Sequence, residues 1–188
     1  MFSKTIIATL LASTAAASPI VSARAAGDKF GLISIRSGTD LQNQAIVAYQ
    51  GGLWIGKDTS SYCPLAEGCP AGTDTTFAAG DNTLSMNVEV PGGQQVYVAT
   101  SAAVSFTPPH SGDTQGGVVT GWTYTAGQDG ALGQMSLPGY GFIACASTDG
   151  PGIYQVYATL GGSGTGNCSG IAVATVPYTG AVSAWEYL

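Results

Sequence analysis

Gly121–Val176 reads GWTYTAGQDGALGQMSLPGYGFIACASTDGPGIYQVYATLGGSGTGNCSGIAVATV, and its pattern decides the fold class. Short runs of β-branched and aromatic residues alternate with glycine turns, which is how strands joined by tight connections are written. Tyr140–Ala146 (YGFIACA) and Ile153–Thr159 (IYQVYAT) form an expected hairpin across Ser147–Gly152. Ser169–Val176 (SGIAVATV) is a strand in which Ile171 and Val173 share a face. Upstream, Val118–Thr125 carries Trp122 and Tyr124, and the turn Gly127–Gly130 leads into a run at Ala131–Leu137.

The same punctuation continues toward the N-terminus. Leu84–Val90 (LSMNVEV) alternates, with Leu84, Met86, Val88 and Val90 on one face. Pro91-Gly92-Gly93 then turns the chain into Gln95–Thr100, a hairpin signal. Ala103–Pro109 is a further short run, ended by two prolines that cannot donate to a ladder. Leu41–Tyr49 and Gly51–Gly56 (GGLWIG, with Trp54) lie before a loop at Lys57–Gly72. In Lys29–Arg36 (KFGLISIR), Ile33 and Ile35 alternate with Ser34 and Arg36, the mark of a half-buried strand. The tail Ala181–Leu188 reads as a terminal strand tied into a sheet. Roughly ten to twelve strands at this spacing make a single-domain antiparallel β-sandwich or barrel. A β-trefoil is the alternative, without a clean threefold repeat to support it.

The chain opens on an export signal. Lys4 supplies a positive start, Thr5–Ala12 is largely apolar, and Ala15-Ala16-Ala17 offers small residues for cleavage. We assign residues 1–17 to this signal, with cleavage as late as residue 25, and residues 26–188 to one all-β domain. The apolar run is too short to span a bilayer, and no later stretch approaches about 18 uninterrupted apolar residues.

Of 188 residues, 45% are hydrophobic, only 9% are charged and 28 are glycine, with a formal net charge of −6. Such a composition is not disordered. Beyond residue 25 the only basic side chains are Lys29, Arg36 and Lys57, too few to neutralise a row of phosphates, which excludes nucleic acid as a partner. Four cysteines, Cys63, Cys69, Cys145 and Cys168, in an exported chain imply disulfides, with three connectivities open. Local closure of Cys63 with Cys69 is the simplest choice, and a Cys145–Cys168 bridge would pin the last long strand to Tyr140–Ala146. Neither spacing suits zinc and one histidine cannot complete a site, so no metal or other cofactor is expected.

Catalytic chemistry finds no foothold, and the chain reads as a non-enzyme. His110 lies in FTPPHSGD near Ser105, Ser111 and Asp113, a polar loop after two prolines that offers no orienting group or oxyanion pocket. Gly161-Gly162-Ser163-Gly164 lacks the strand–elbow–helix context of a nucleophile, and GGSGTG lacks the lysine of a phosphate loop. Most aspartates sit at turns, where they bond their own backbone, and Glu89 has no evident partner carboxylate. Asn167-Cys168-Ser169 matches the glycosylation acceptor only formally, because its middle cysteine is expected to be oxidised. Surface aromatics remain. Trp54, Trp122 and Tyr124 are the candidate sugar-stacking residues, with Tyr62, Tyr140 and Trp185 as further aromatics of the same kind.

The opening FGLISIRSGTDLQNQAIVAYQGGLWIG, followed by Asn82-Thr83-Leu84, Gly121-Trp122-Thr123-Tyr124, Phe142-Ile143-Ala144-Cys145 and Asn167–Ala172, resembles fungal PhiA-like cell-wall proteins in the same order. That family is secreted, associated with conidium-forming cells, and includes IgE-binding allergens. Where the family has a cysteine followed by tyrosine near its C-terminus, this chain has Pro177-Tyr178, with Cys69 extra beside Cys63. The swap supports a Cys63–Cys69 bridge. The resemblance implies a non-enzymatic extracellular or wall-associated fungal protein, possessing no catalytic residues to transfer. The alternative is a carbohydrate-binding module or a secreted effector or elicitor, with cell-wall polysaccharide or a host surface as partner.

Overall fold

A computed structural model describes residues 28–128 and 130–188; the expected export signal and Asp129 lie outside them. The chain forms strands β1 (Lys29–Ile35), β2 (Gln44–Tyr49), β3 (Gly52–Ile55), β4 (Ser61–Tyr62), β5 (Phe77–Ala79), β6 (Leu84–Met86) and β7 (Val96–Val98). Then follow β8 (Val104–Phe106), β9 (Thr123–Thr125), β10 (Gly133–Ser136), β11 (Tyr140–Ala146), β12 (Tyr154–Leu160), β13 (Cys168–Pro177) and β14 (Glu186–Tyr187). All the strand pairs are antiparallel. Six strands close on themselves in the order β1–β2–β3–β12–β11–β13 and back to β1, forming a barrel. Short strands extend it: β5 and β6 beside β1, β10 and β9 beside β13, and β8 with β7 beside β3. A separate ribbon pairs β14 with β4. The barrel strands come from residues 29–55 and 140–177, so the threefold arrangement of a trefoil is not what this chain builds.

A barrel of so few strands has room inside only for side chains. Phe30 and Leu32 of β1 point in, as do Ile46 and Ala48 of β2, Leu53 and Ile55 of β3, and Val156 and Ala158 of β12. Leu84, Val104, Trp122 and Met135, from the flanking segments, join this core. The void left among them is about 10 Å³, at the lower limit of what one water needs. The interior is therefore a packed core and not a ligand chamber.

The hairpin of β11 and β12 is registered from Tyr140↔Leu160 to Ala146↔Tyr154, as its alternating pattern leads one to expect. Both disulfides form as anticipated, Cys63 with Cys69 and Cys145 with Cys168. The second joins directly opposed residues of β11 and β13 on the outer face.

Three readings of local pattern are corrected, and one strand lies where none was read. On β1 the buried face is Phe30, Leu32 and Ser34, while Ile33 and Ile35 are half-covered on the outside. Ser34 tolerates the inward position because its hydroxyl donates to the Leu41 carbonyl at 2.7 Å. The expected strand Leu84–Val90 stops at Met86, because Asn87 turns inward and its Nδ2 donates to Thr76 Oγ1 at 3.0 Å. Val118–Thr125 keeps only Thr123–Thr125 as strand, since the Gly121 and Trp122 N–H groups both donate to the Asn82 carbonyl. Phe77–Ala79, within a segment without a clear pattern, is a strand whose Phe77 is fully buried.

The C-terminus is locked by a buried polar chain with a definite direction. The Tyr187 hydroxyl donates to the Asp74 carbonyl at 2.7 Å, so the Ser183 hydroxyl, 2.7 Å away, must donate to Tyr187. Ser183 has then spent its proton, and Thr76 Oγ1 at 2.6 Å donates to it while accepting from Asn87. Gln94 completes the lock: Oε1 accepts from the Tyr187 N–H at 2.8 Å, and Nε2 donates to the Tyr187 carbonyl at 2.9 Å. Chains of this kind polarise one another and are costly to interrupt.

Two expected outcomes follow. Replacing Cys145 and Cys168 together by alanine removes a closure of 23 residues and should cost about 3 kcal/mol in denaturant unfolding; losing the short Cys63–Cys69 ring should cost about 2. Burial pushes the Tyr187 hydroxyl above its ordinary value of 10.0. The folded state thus holds that proton more tightly than the unfolded chain. Its contribution is intact below pH 10.0 and is lost as the pH rises through the folded value. Tyr187→Phe should lower stability at neutral pH by about 1–3 kcal/mol, from the buried donor left unsatisfied, and should flatten the alkaline unfolding curve; an unchanged curve would contradict the lock.

Candidate functional site

With the interior filled, ligand chemistry has to sit on the outer face. Because Leu53, Ile55 and Val156 point into the core, the residues between them, Trp54 and Gln155, point out. Trp54 of β3 stands directly opposite Gln155 of β12 and Val47 of β2. Two residues along β12 on the same face, Tyr157 donates its hydroxyl proton to Gln155 Oε1 at 2.8 Å. Beyond Gln155 in the same row stand Cys145 and then its disulfide partner Cys168, which backs the patch with a covalent cross-link between strands.

Gly52 explains how the indole lies. A Cβ there would meet Trp54 Nε1 at 3.1 Å and Gln155 Nε2 at 3.3 Å. The bare backbone lets the indole edge and the amide rest against the sheet, so Nε1 is buried and has no hydrogen-bond partner. Tyr49 packs edge-on to Trp54, with ring centroids 6.2 Å apart at 85°.

A charged pair borders these rings. Lys57 follows β3, and its ammonium lies 4.6 Å from the Tyr49 ring centre and 5.8 Å from that of Trp54. It also pairs with Asp149 Oδ2 at 2.7 Å, with the lysine side chain 16% exposed and the aspartate 45%. The hydrogen bond with Asp149 holds the Lys57 ammonium above its usual range, and the same bond holds the Asp149 carboxyl below its own. Between them they present a donor and an acceptor with no net charge.

The other candidates are placed elsewhere. Trp122 is 5% exposed, with its ring 6.1 Å from that of Phe142, so it is a core residue and not a stacking platform. Tyr124 is stacked on Phe30 with ring centres 4.3 Å apart, which commits that face to the core. Tyr62 is 53% exposed on the small ribbon, where it stands opposite Glu186. His110 is exposed in its loop, and the Ser111 hydroxyl there accepts from the Asp113 N–H. No three His, Cys, Asp or Glu side chains among the described residues are grouped to hold a metal, and no helix there is long and apolar enough to cross a membrane. An apolar groove of about 420 Å³ lies beside Leu160, lined also by Val98, Thr100, Gly117 and Tyr140.

Of the three stacking candidates, then, only Trp54 belongs to an outward-facing cluster. Tyr49, Lys57, Asp149, Gln155 and Tyr157 were not recognisable beforehand as its neighbours. Tyr49 alone left a trace, since a tight turn at Gln50-Gly51 places it beside Trp54.

A family model described as PhiA-like secreted protein matches residues 30–188. An "Uncharacterized secreted protein" of Arthroderma benhamiae is 33% identical over 146 residues, covering 71% of this chain and 72% of the relative. No solved structure matches the chain.

The geometry makes a spectroscopic prediction. The indole N–H protons of Trp54 and Trp122, both without exposed surface, should exchange slowly with solvent by NMR. In Gly52→Ala the Trp54 proton should become fast while that of Trp122 stays slow. Equal exchange of the Trp54 proton in both proteins would show that the indole does not rest on Gly52.

Proposed function

The chain belongs to the PhiA-like secreted protein family, and from that premise we propose that this secreted fungal protein is a non-enzymatic component of the cell wall or extracellular layer, linked to the building of conidium-bearing structures. The observation that carries the reading is the filled, disulfide-stapled barrel. Its buried polar groups, Ser34, Thr76, Asn87, Gln94 and Ser183, are engaged in holding the chain to itself. Such an architecture suits persistence outside the cell, where a closed barrel leaves few strand edges and disulfides survive oxidising conditions. Wall fractionation with immunoblotting should find the protein in wall extracts or medium, and purified protein should convert no wall polysaccharide or peptide substrate. Turnover abolished by His110→Ala or by a single carboxylate variant would overturn the non-enzymatic reading.

A second reading is favoured by one particular arrangement, the Trp54 indole laid on Gly52 beside Tyr49 and Gln155. Aromatic faces bordered by hydrogen-bonding groups suit sugar rings, so this patch is a carbohydrate-binding surface through which the protein engages wall polysaccharide. Wild-type protein should be retained on insoluble chitin or β-glucan and Trp54→Ala should not. Absence of wild-type retention on both would count against glycan binding.

A further inference from the structure

We propose that the cluster Tyr49–Trp54–Lys57–Asp149–Gln155 is a subsite for one uncharged hexopyranose unit of a polysaccharide, in which the Lys57–Asp149 pair and Gln155 read the sugar hydroxyls. The proposal rests on the carbohydrate-binding reading of Trp54 and names the residues and ligand class that reading leaves open.

Three observations converge on it. The first is chemical variety within one small area. Two aromatic rings stand at right angles, an amide lies directly across the strand, and an ion pair closes the edge. A protein-binding patch would be more uniformly apolar at its centre, and core packing would not place an ion pair against the rings. A pyranose needs this mixture, with carbon-bound hydrogens for the rings and hydroxyls for donors and acceptors at the rim.

The second observation is charge. Lys57 is one of only three basic side chains among the described residues, and its charge is matched by Asp149 at 2.7 Å. An anionic sugar would gain from the ammonium and lose to the carboxylate, so the pair gives no advantage to acidic glycans. A neutral sugar with adjacent hydroxyls can accept from the ammonium with one oxygen and donate to the carboxylate with its neighbour. Both bonds are charge-assisted and stronger than neutral ones.

The third is orientation of the amide. Tyr157 donates to Gln155 Oε1, which fixes the Gln155 side chain and turns its Nε2 toward Gly52 and Trp54. Gln155 is thereby a pre-set donor at the edge of the indole. Pre-organisation of this kind lowers the ordering cost of binding. Lys57 is positioned likewise, held between the two rings and Asp149 instead of ranging through solvent.

Affinity electrophoresis of the full secreted protein tests this, in native gels containing laminarin, mannan or polygalacturonate. Wild type should be retarded by a neutral polymer and not by polygalacturonate. Lys57→Met should weaken that retardation by about tenfold, the factor that one lost hydrogen bond to a charged group is worth, and Gln155→Ala, which loses a bond between neutral groups, by about fivefold. Thermal melts identify any variant that has lost its fold, and Lys57→Met keeps the apolar stem against the rings. If a neutral polymer retards wild type and only Trp54→Ala abolishes it, the subsite proposal fails while glycan binding stands. If polygalacturonate alone retards the protein, the uncharged class is wrong. Retardation by none of the polymers removes the carbohydrate reading and the subsite together.

Discussion

The pairing of β1 with β13 is the contact on which the rest of this structure depends. It runs from Phe30↔Pro177 to Ile35↔Ala172 and joins the first strand of the described chain to its longest. Without it the remaining strands would form an open sheet with two exposed edges, each a template for unwanted pairing. With it, six strands close, the core inside is shielded on all sides, and every other element becomes a flank or a plug. Closure also carries a kinetic cost, because the pair spans most of the chain and loop entropy must be met before the contacts reward it. The Cys145–Cys168 bridge, which holds β13 to β11, shortens that search by anchoring one edge of the closing strand.

The outer patch is a consequence of the same closure. In a barrel each strand sends alternate residues outward, so Trp54, Gln155 and the Cys145–Cys168 bridge fall in one row across β3, β12, β11 and β13. The row's stiffness comes from the ladder beneath it and from the disulfide at its end. Lys57 and Asp149 belong to the connections leaving β3 and entering β12, which closure brings within 2.7 Å. The aromatic and polar side chains of this row therefore stand on a rigid scaffold, on the outer face of a barrel whose interior is filled.

Much of the strand pattern was legible because period-two alternation and glycine punctuation are local signals. Tyr140–Ala146 coincides with β11 residue for residue. The failures have a shared physical cause. Ser34 and Asn87 are polar residues at buried positions, tolerated because the Leu41 carbonyl and the Thr76 hydroxyl, each from a neighbouring segment of the chain, complete their hydrogen bonds. A pattern of hydrophobicity reads such residues as outward, so on β1 it chose the wrong face and on Leu84–Val90 it ran too far. For Trp122 the sequence offered no choice between a surface platform and a core residue, since an aromatic serves in either place, and only packing in the barrel core decides it.

Composition, alternation and cysteine spacing by themselves determined that this chain is a charge-poor, disulfide-stapled β protein, because those properties follow from neighbouring residues and from totals. The order of motifs likewise carried its kinship to the PhiA-like family. The tertiary structure alone decided which strands close the barrel, that Trp54 stands on its outer face while Trp122 is buried in the core, and which five side chains gather around Trp54. Gln155 stands opposite Trp54 although about a hundred residues separate them, and no local rule encodes a register between strands so far apart. That register is set by the closing of the sheet, where one inward face must be buried all the way around.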